Sequence, residues 1–358
     1  MARASNYDVD FWQTHITEDD CDLIIRTNNG RLFYCHFDPS RFCRSPKVTE
    51  QYFMCLNVLR SDEEEMDGIY LEDACDWLMK PFEPLIAQLA PATLAPPLSA
   101  NGRPTLSQYL FPLQFACTLD ATDDQLRVCQ LDTQEHNWST ARIAVNNDFV
   151  KDLDKWTQSY HPSNVEICYD YPRNVLIKPP TRVVVARPGG GSITCFFKSF
   201  RVSFGKAHAK NELLTLRKIA IAQIPPPPQV LVCRLHGVVR DGNGLLGMLF
   251  TWIDKKAVLS RGLAAESSAE LRQRWATQID RSLKKLHQQG IIWGDVKPEN
   301  VLIDTNDDAW IIDFGGSYTP GWVDPEMAGT LEGDLQGLVK ITEMLRCEPT
   351  GRFEATGA

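Results

Sequence analysis

No run of about 18 consecutive apolar residues occurs in this chain of 358, so it offers no candidate membrane-spanning helix. Its start, Met1 to Asp10, lacks the apolar stretch of a secretory signal, and the expectation is a cytoplasmic protein without a membrane partner. The eleven cysteines include no C-x-x-C pair and are irregularly spaced. That excludes the signature of a zinc knuckle or a disulfide framework, and the thiols are read as reduced. A surplus of cations is missing too: the formal net charge is -9. General binding to nucleic acid needs cations that displace the counterions of phosphate, so that class is excluded. There is no long low-complexity tract, and 43% of residues are hydrophobic, so most of the chain should fold. Its length exceeds one average domain and fits two modules.

Residues 22–37 alternate apolar and polar on both sides of Asn28-Asn29-Gly30, which predicts a hairpin with a tight type I′ turn. An acidic patch, Asp62 to Glu65, precedes a helical pattern near Leu71 to Leu89 and a Pro/Ala segment from Pro91 to Pro104 that reads as a linker or long loop. Further strand-like runs follow, including Leu110 to Leu119, with no chemical constellation up to Val150. From about residue 163 the texture changes. Strand-like runs at Val165–Tyr169, Arg182–Ala186 and Ile193–Phe200 are followed by helical periodicity over Lys210–Ala222, with Glu212, Leu216 and Ile219 on one face. Pro188-Gly189-Gly190-Gly191 reads as a turn before the third strand, and Pro225 to Pro228 forbid helix. Two more strands are expected at Val230–Val239 and Leu245–Trp252. Ser267 and Glu270 form an expected capping box for a helix carrying Leu271, Trp275, Ile279, Leu283 and Leu286, which Gly290 ends.

The chemistry gathers after that helix. Trp293-Gly294-Asp295-Val296-Lys297-Pro298-Glu299-Asn300 leads into the apolar strand Val301–Ile303. A turn, Asp304 to Asp308, leads to a second strand, Trp310–Ile312, stopping at Asp313-Phe314-Gly315. A hairpin that brings Asn300 near Asp313 supplies oxygen ligands for a hard cation such as Mg²⁺, and leaves Asp295 for another task.

In that order, residues 163–345 resemble a protein-kinase domain, especially the divergent short kinase-like domains common in filamentous fungi. The resemblance implies a fold, a reaction and a set of residues. The fold is α+β, a two-lobed protein-kinase-like arrangement with a small β-rich N-lobe holding one helix and a shortened helical C-lobe. It is expected over residues 163–358, cut off after the helix that carries Asp334. A separate N-terminal α+β module precedes it over residues 1–150, with a regulatory or packing role.

The reaction is transfer of the γ-phosphate of ATP, with Mg²⁺, to a hydroxyl, and Pro298-Glu299-Asn300 after Lys297 resembles the Ser/Thr-type loop. Asp295 and Lys297 are the catalytic pair: one takes or orients the hydroxyl proton and the other neutralises charge near the γ-phosphate. Asn300 and Asp313 are the metal ligands. Lys198, at the end of Cys195-Phe196-Phe197-Lys198, would hold the α- and β-phosphates, with Glu212 holding Lys198. Phe196, Phe250, Trp252 and Ile253 complete the expected nucleotide site. Asp334 is expected to cap the catalytic-loop backbone, and Trp322-Val323-Asp324-Pro325-Glu326 resembles the A-P-E segment.

Four departures keep other readings open. Between Val165 and Arg182 there is no G-x-G-x-x-G to cradle phosphate with backbone N–H groups. Phe196 stands where the family usually has a small alanine. Gly294 replaces the arginine that reads a phosphorylated activation loop, and the later helices of a full lobe are missing. A pseudokinase that acts as a scaffold is one alternative. The other is a small-molecule kinase, because Gly294-Asp295 resembles the H-G-D loop of aminoglycoside and choline kinases. The sequence names neither the protein substrate nor the oligomeric state.

Overall fold

The computed structural model describes the chain apart from residues 1–5, 15–16, 62, 67, 95–97, 100, 137, 140–141, 188, 201–204, 243, 316–317 and 347–358; for 205–208 it describes the backbone alone. The first strands are β1 (Tyr7–Thr14), β2 (Cys21–Thr27) and β3 (Arg31–Phe37), an antiparallel meander with Cys21 opposite Phe37. The expected hairpin is present, but its turn is not type I′. Of Asn28, Asn29 and Gly30 only the glycine has a positive φ, 77°. Asn29 is buried and accepts a hydrogen bond from the Thr27 hydroxyl at 2.6 Å. That pins a three-residue loop with glycine in its last, left-handed place.

The chain continues through β4 (Phe42–Cys43), α1 (Pro46–Ser61), the short strands β5 (Glu65–Met66) and β6 (Ile69–Tyr70), α2 (Leu71–Met79) and α3 (Glu83–Leu89). The run expected as one strand from Leu110 is divided between α4 (Leu106–Leu110) and β7 (Leu113–Thr122). The Thr105 backbone N–H donates to Gln108 Oε1 at 2.6 Å, half of a capping box that makes this first turn helical. β8 (Gln125–Leu131) pairs antiparallel with β7, and β3 and β4 pair parallel with successive stretches of β7.

Next come β9 (Ile143–Ala144), α5 (Asn147–Leu153), β10 (Gln158–Tyr160), β11 (Val165–Cys168) and β12 (Arg182–Ala186). β13 (Ser192–Ser199), α6 (Gly205–Ile221), β14 (Leu235–Asp241), β15 (Gly244–Thr251) and β16 (Lys255–Val258) follow. The last elements are α7 (Arg261–Glu266), α8 (Ala269–His287), β17 (Val301–Asp304), β18 (Ala309–Ile311) and α9 (Leu331–Arg346). The fold is α+β.

The chain forms two compact units that interleave in sequence: residues 1–140 with 162–192, and residues 141–161 with 193–358. In the first, the face of the sheet bearing Leu23, Ile25, Phe33, Cys35 and Phe37 buries against Tyr52, Leu56, Leu78 and Phe82 of the helical segments. The opposite face is covered as well, since Ile24 and Leu32 have no exposed surface. In the second, β10, β14, β15 and β13 lie side by side in that order, with β9 on β15. β16, β17 and β18 form a second small sheet, and one core joins α6, α8 and α9 to these strands.

Two expectations are corrected here. The cap of α8 is Ser268, whose side chain accepts from Leu271 N at 3.3 Å; Ser267 instead ends α7, donating its hydroxyl to Leu263 O at 2.7 Å. A serine pair offers two caps, and because Ser267 is taken up in ending α7, Ser268 is left to start α8. The strand expected over Val230–Val239 begins only at Leu235. Val230 to Cys233 are buried without a ladder in that sheet, and Cys233 N bonds Ile311 O at 2.9 Å. An apolar run that bridges to β18 reads like a strand, because periodicity does not distinguish a buried connector from a ladder. Among the described residues no helix is long and apolar enough to cross a membrane.

Candidate active site

Alternation along β13 puts Cys195 and Phe197 in the core and turns Thr194, Phe196 and Lys198 to the other face. The Lys198 ammonium donates to Glu212 Oε1 and to Asp313 Oδ1, each at 2.8 Å. Glu212 comes from α6 and is 2% exposed. Asp313 follows β18 in a left-handed conformation, φ 60°, which aspartate tolerates better than most residues. Burial alone would lower the pKa of Lys198, but the charges of Glu212 and Asp313 outweigh it and hold the amine above its ordinary value, so it stays a cation. Behind it, burial pushes the Cys233 thiol up to about 12, the nearby Glu212 charge adding to the shift, so this sulfur stays protonated.

The second cluster is built on the loop after α8. Asp295 Oδ1 accepts from the Thr319 hydroxyl at 2.8 Å, and Oδ2 accepts from Lys297 Nζ at 2.9 Å and Asn300 Nδ2 at 3.0 Å. Lys297 Nζ also donates to Thr319 Oγ1 at 2.9 Å, which closes a ring of three side chains. The loop is anchored by α9: Asp334, 1% exposed, accepts from Trp293 N at 2.7 Å, Gly294 N at 2.8 Å and His287 Nε2 at 2.8 Å. A buried carboxylate with three donors compensates the cost of its burial. Gly294 has φ 93°, so the loop's own backbone favours glycine where an arginine is usual.

The hairpin of β17 and β18 joins the clusters. Ile312 N donates to Asn300 O at 3.0 Å, and Asp313 follows directly. Asn300 commits its Nδ2 to the Asp295 backbone oxygen and carboxylate, which leaves its own carbonyl Oδ1 to face elsewhere. Asp313 uses Oδ1 on Lys198, and no hydrogen bond to its Oδ2 is found among the described residues. One amide oxygen and one carboxylate oxygen suit a hard divalent cation that keeps waters and takes phosphate oxygens. Among the described residues no cluster of three or more His, Cys, Asp or Glu side chains makes an all-protein metal cage.

Of the eight side chains expected at the nucleotide and metal sites, Lys198, Glu212, Asp313 and Asn300 thus lie in these connected clusters. Phe196 stands opposite Phe250 across β13 and β15; Phe250 is buried, while Phe196 is 38% exposed. Trp252 N donates to Thr194 O at 3.4 Å, and Ile253 packs on the core of this unit. The sequence reading missed Thr319 and His287. A hydroxyl residue between Gly315 and Trp322 was the only signal for the first, and a histidine in the last turn of α8 for the second.

The protein kinase domain family matches residues 208–321. That span holds Glu212, Asp295, Lys297, Asn300, Asp313 and Thr319, with Lys198 ahead of it. A probable serine/threonine-protein kinase of Dictyostelium discoideum is 39% identical over 116 residues, 30% of this chain and 9% of that protein. A calcium and calcium/calmodulin-dependent serine/threonine-protein kinase of Lilium longiflorum is 33% identical over 139 residues, 36% of this chain and 25% of that protein. Its namesake in Lotus japonicus is 33% identical over 141 residues, 36% of this chain and 25% of that protein. The chain therefore spans a quarter or less of these relatives' own length. Through this segment, about a third of its length, the chain is similar to protein kinases.

Proposed function

We propose that the second unit is an ATP-dependent phosphotransferase of the Ser/Thr protein-kinase type, acting in the cytoplasm on a hydroxyl of a protein substrate. The observation that carries this reading is Lys198 bridging Glu212 and Asp313 at 2.8 Å on each side. Phosphoryl transfer asks little covalent work of the protein and much fixed charge, so a preformed cation beside a carboxylate is what it requires. We read the kinase-like domain, of the divergent short type with two lobes, as the second unit, residues 141–161 with 193–358 in place of an unbroken 163–358, and the first unit as the separate module in place of 1–150. Lys198 would bind the α- and β-phosphates, oriented by Glu212. Asn300 and Asp313 would hold Mg²⁺, which when bound neutralises charge on the phosphate oxygens.

Asp295 would orient the acceptor hydroxyl and take its proton at a carboxylate oxygen, exchanging a present partner such as Thr319 for it. Lys297, shared between Asp295 and Thr319, would stand by the transferring group. Phe250, Trp252, Ile253 and the exposed ring of Phe196 would contact the base. The pseudokinase reading is favoured by one feature, the absence of any glycine from residue 169 to 181. Purified protein with Mg²⁺ and labelled ATP decides between them. Transfer to itself or to a generic basic protein, lost in Asp295→Asn, supports the kinase; no transfer with no thermal shift on Mg-ATP leaves the scaffold. Nucleotide binding without protein phosphorylation points to a small hydroxylated acceptor.

A further inference from the structure

Residues 142–161 belong to the second unit, although the chain before them, through residue 140, and after them, from 162 to 192, belongs to the first. The kinase family match, 208–321, does not include them. Both ends of this segment are sewn to the sheet that carries Lys198. β9 pairs antiparallel with β15, Ala144 opposite Gly244. β10 pairs parallel with β14, Ser159 opposite Val238 and Tyr160 opposite Val239. The β10 seam depends on a glycine in the partner strand. A Cβ on Gly237 would lie 2.7 Å from the Tyr160 ring and 2.9 Å from Gln158 O, whereas one on Gly244 would meet only the Arg142 side chain, which can move aside. Glycine inside a strand marks close approach of another backbone, and at Gly237 that backbone is β10.

Between the seams, α5 reaches α6. Leu153, 1% exposed, shares a core with Leu213, Leu216 and Ile219, and Phe149 and Val150 pack against it. Arg217 Nη2 donates to Asp152 Oδ1 at 3.1 Å. Arg217 is five residues beyond Glu212, about 140° around the helix. The helix is therefore held from two sides: by Lys198 through Glu212, and by α5 through Arg217 and the Leu153 anchor.

We propose that residues 142–161 are a built-in brace that fixes α6 relative to the Lys198 strand, with Leu153 and Asp152 as positioning residues for Glu212. This rests on the phosphotransfer reading for its catalytic consequence and not for its structural one. An exposed ion pair such as Asp152 with Arg217, whose side chains are 40% and 38% exposed, contributes little by itself. The buried leucine and the two seams do the anchoring, and the pair sets the rotation of α6. With the brace in place the Lys198 and Glu212 pair is formed by the fold, which suits a loop where Gly294 cannot read a phosphate.

The test uses the full chain. Gly237→Ala wedges β10 from β14, Leu153→Ala empties the anchor, and Asp152→Arg and Arg217→Asp are made singly and together. Amide hydrogen exchange, which needs no activity, should rise about tenfold or more over residues 209–221 of α6 in the first two variants, with α8 and α9 unchanged. Each single charge reversal should loosen α6 less, and the double reversal should restore it; if Leu153→Ala does not fold, this series carries the test. Unchanged exchange in α6 overturns the brace. In protein that transfers phosphate, kcat should fall about tenfold in Gly237→Ala, with the acceptor KM unchanged, and recover in the double reversal relative to its singles; unchanged kcat overturns the positioning role. Wild-type protein that neither binds nor transfers the phosphate of Mg-ATP overturns the phosphotransfer reading alone, and the exchange result still decides the brace.

Discussion

Among the described residues the two units differ in one kind of buried polar residue, the carboxylate. Among the described residues, the first unit buries Arg26, Thr27, Asn29, Ser45, Thr105 and Thr118, and no carboxylate. The second buries Glu212, Asp295, Asp304 and Asp334 beside Arg272, Ser282 and Asn300. A buried carboxylate is costly unless hydrogen bonds or cations surround it. The first unit avoids them and fills its core with apolar strands and stacked rings. The second holds four, and they divide into two kinds. Asp304 and Asp334 are fully occupied by backbone and ring N–H donors, Asp304 by Asn306 N at 2.8 Å, Asp308 N at 2.9 Å and Trp310 Nε1 at 2.9 Å. Glu212 and Asp295 face lysines. Burial of an acid is thus of two kinds in this unit: against N–H donors that fix the backbone, and against the lysines of the clusters proposed as the site.

The contrast breaks most openly in catalysis. Asp295→Asn should reduce phosphate transfer by roughly 10²- to 10⁴-fold with an unchanged thermal transition, while Asp22→Asn in the first unit, which removes the carboxylate 2.8 Å from His36, should leave transfer as it is. A loss of transfer from the second change would tie the first unit to the chemistry.

Next is the core of the first unit. Phe37, with no exposed surface, has ring centroids 6.2 Å from Tyr52 and 5.6 Å from Phe82. Phe37→Ala should cost about 3–5 kcal/mol in denaturant unfolding, and Mg-ATP binding measured on the folded variant should be retained.

Lys198→Ala should weaken Mg-ATP binding by roughly ten- to a hundredfold in calorimetry, the scale of losing a charge-assisted hydrogen bond. Equal affinity in variant and wild type would mean that another cation binds the phosphates.

The smallest effect is a pH dependence confined to the first unit. His36 is raised above its ordinary 6.5, first by its hydrogen bond to Asp22. A raised histidine stabilises the fold fully below its unfolded pKa, and the contribution is lost as pH rises through the folded one. Thermal stability should therefore decline as pH rises beyond about 6.5, by under ~1 kcal/mol as for other partly exposed pairs. His36→Gln should flatten that decline.

Local pattern made much of this readable before any coordinates. The hairpin of Val301–Asp304 with Ala309–Ile311 follows from two apolar runs around a polar turn, and it delivers Asn300 and Asp313 to one end because the chain between them is short. Lys198 could be placed on the same face as Phe196 from alternation alone. The misreadings have equally local causes. Val230 to Cys233 are apolar enough for a strand, and only their bond to Ile311 shows them to be a connector. Ser267 and Ser268 are both good caps, and spacing to Glu270 favoured the wrong one.

What the sequence by itself determined is the order and proximity of the groups proposed as reactive, Asp295, Lys297, Asn300 and Asp313, because they lie within one loop-strand-turn-strand stretch where neighbours in sequence are neighbours in space. Tertiary structure alone decided that Thr319, 24 residues from Asp295, closes the ring with Lys297, and that Asp152 meets Arg217 across 65 residues. Contacts of that separation are set by which buried surfaces pack together, and no periodicity along the chain encodes them.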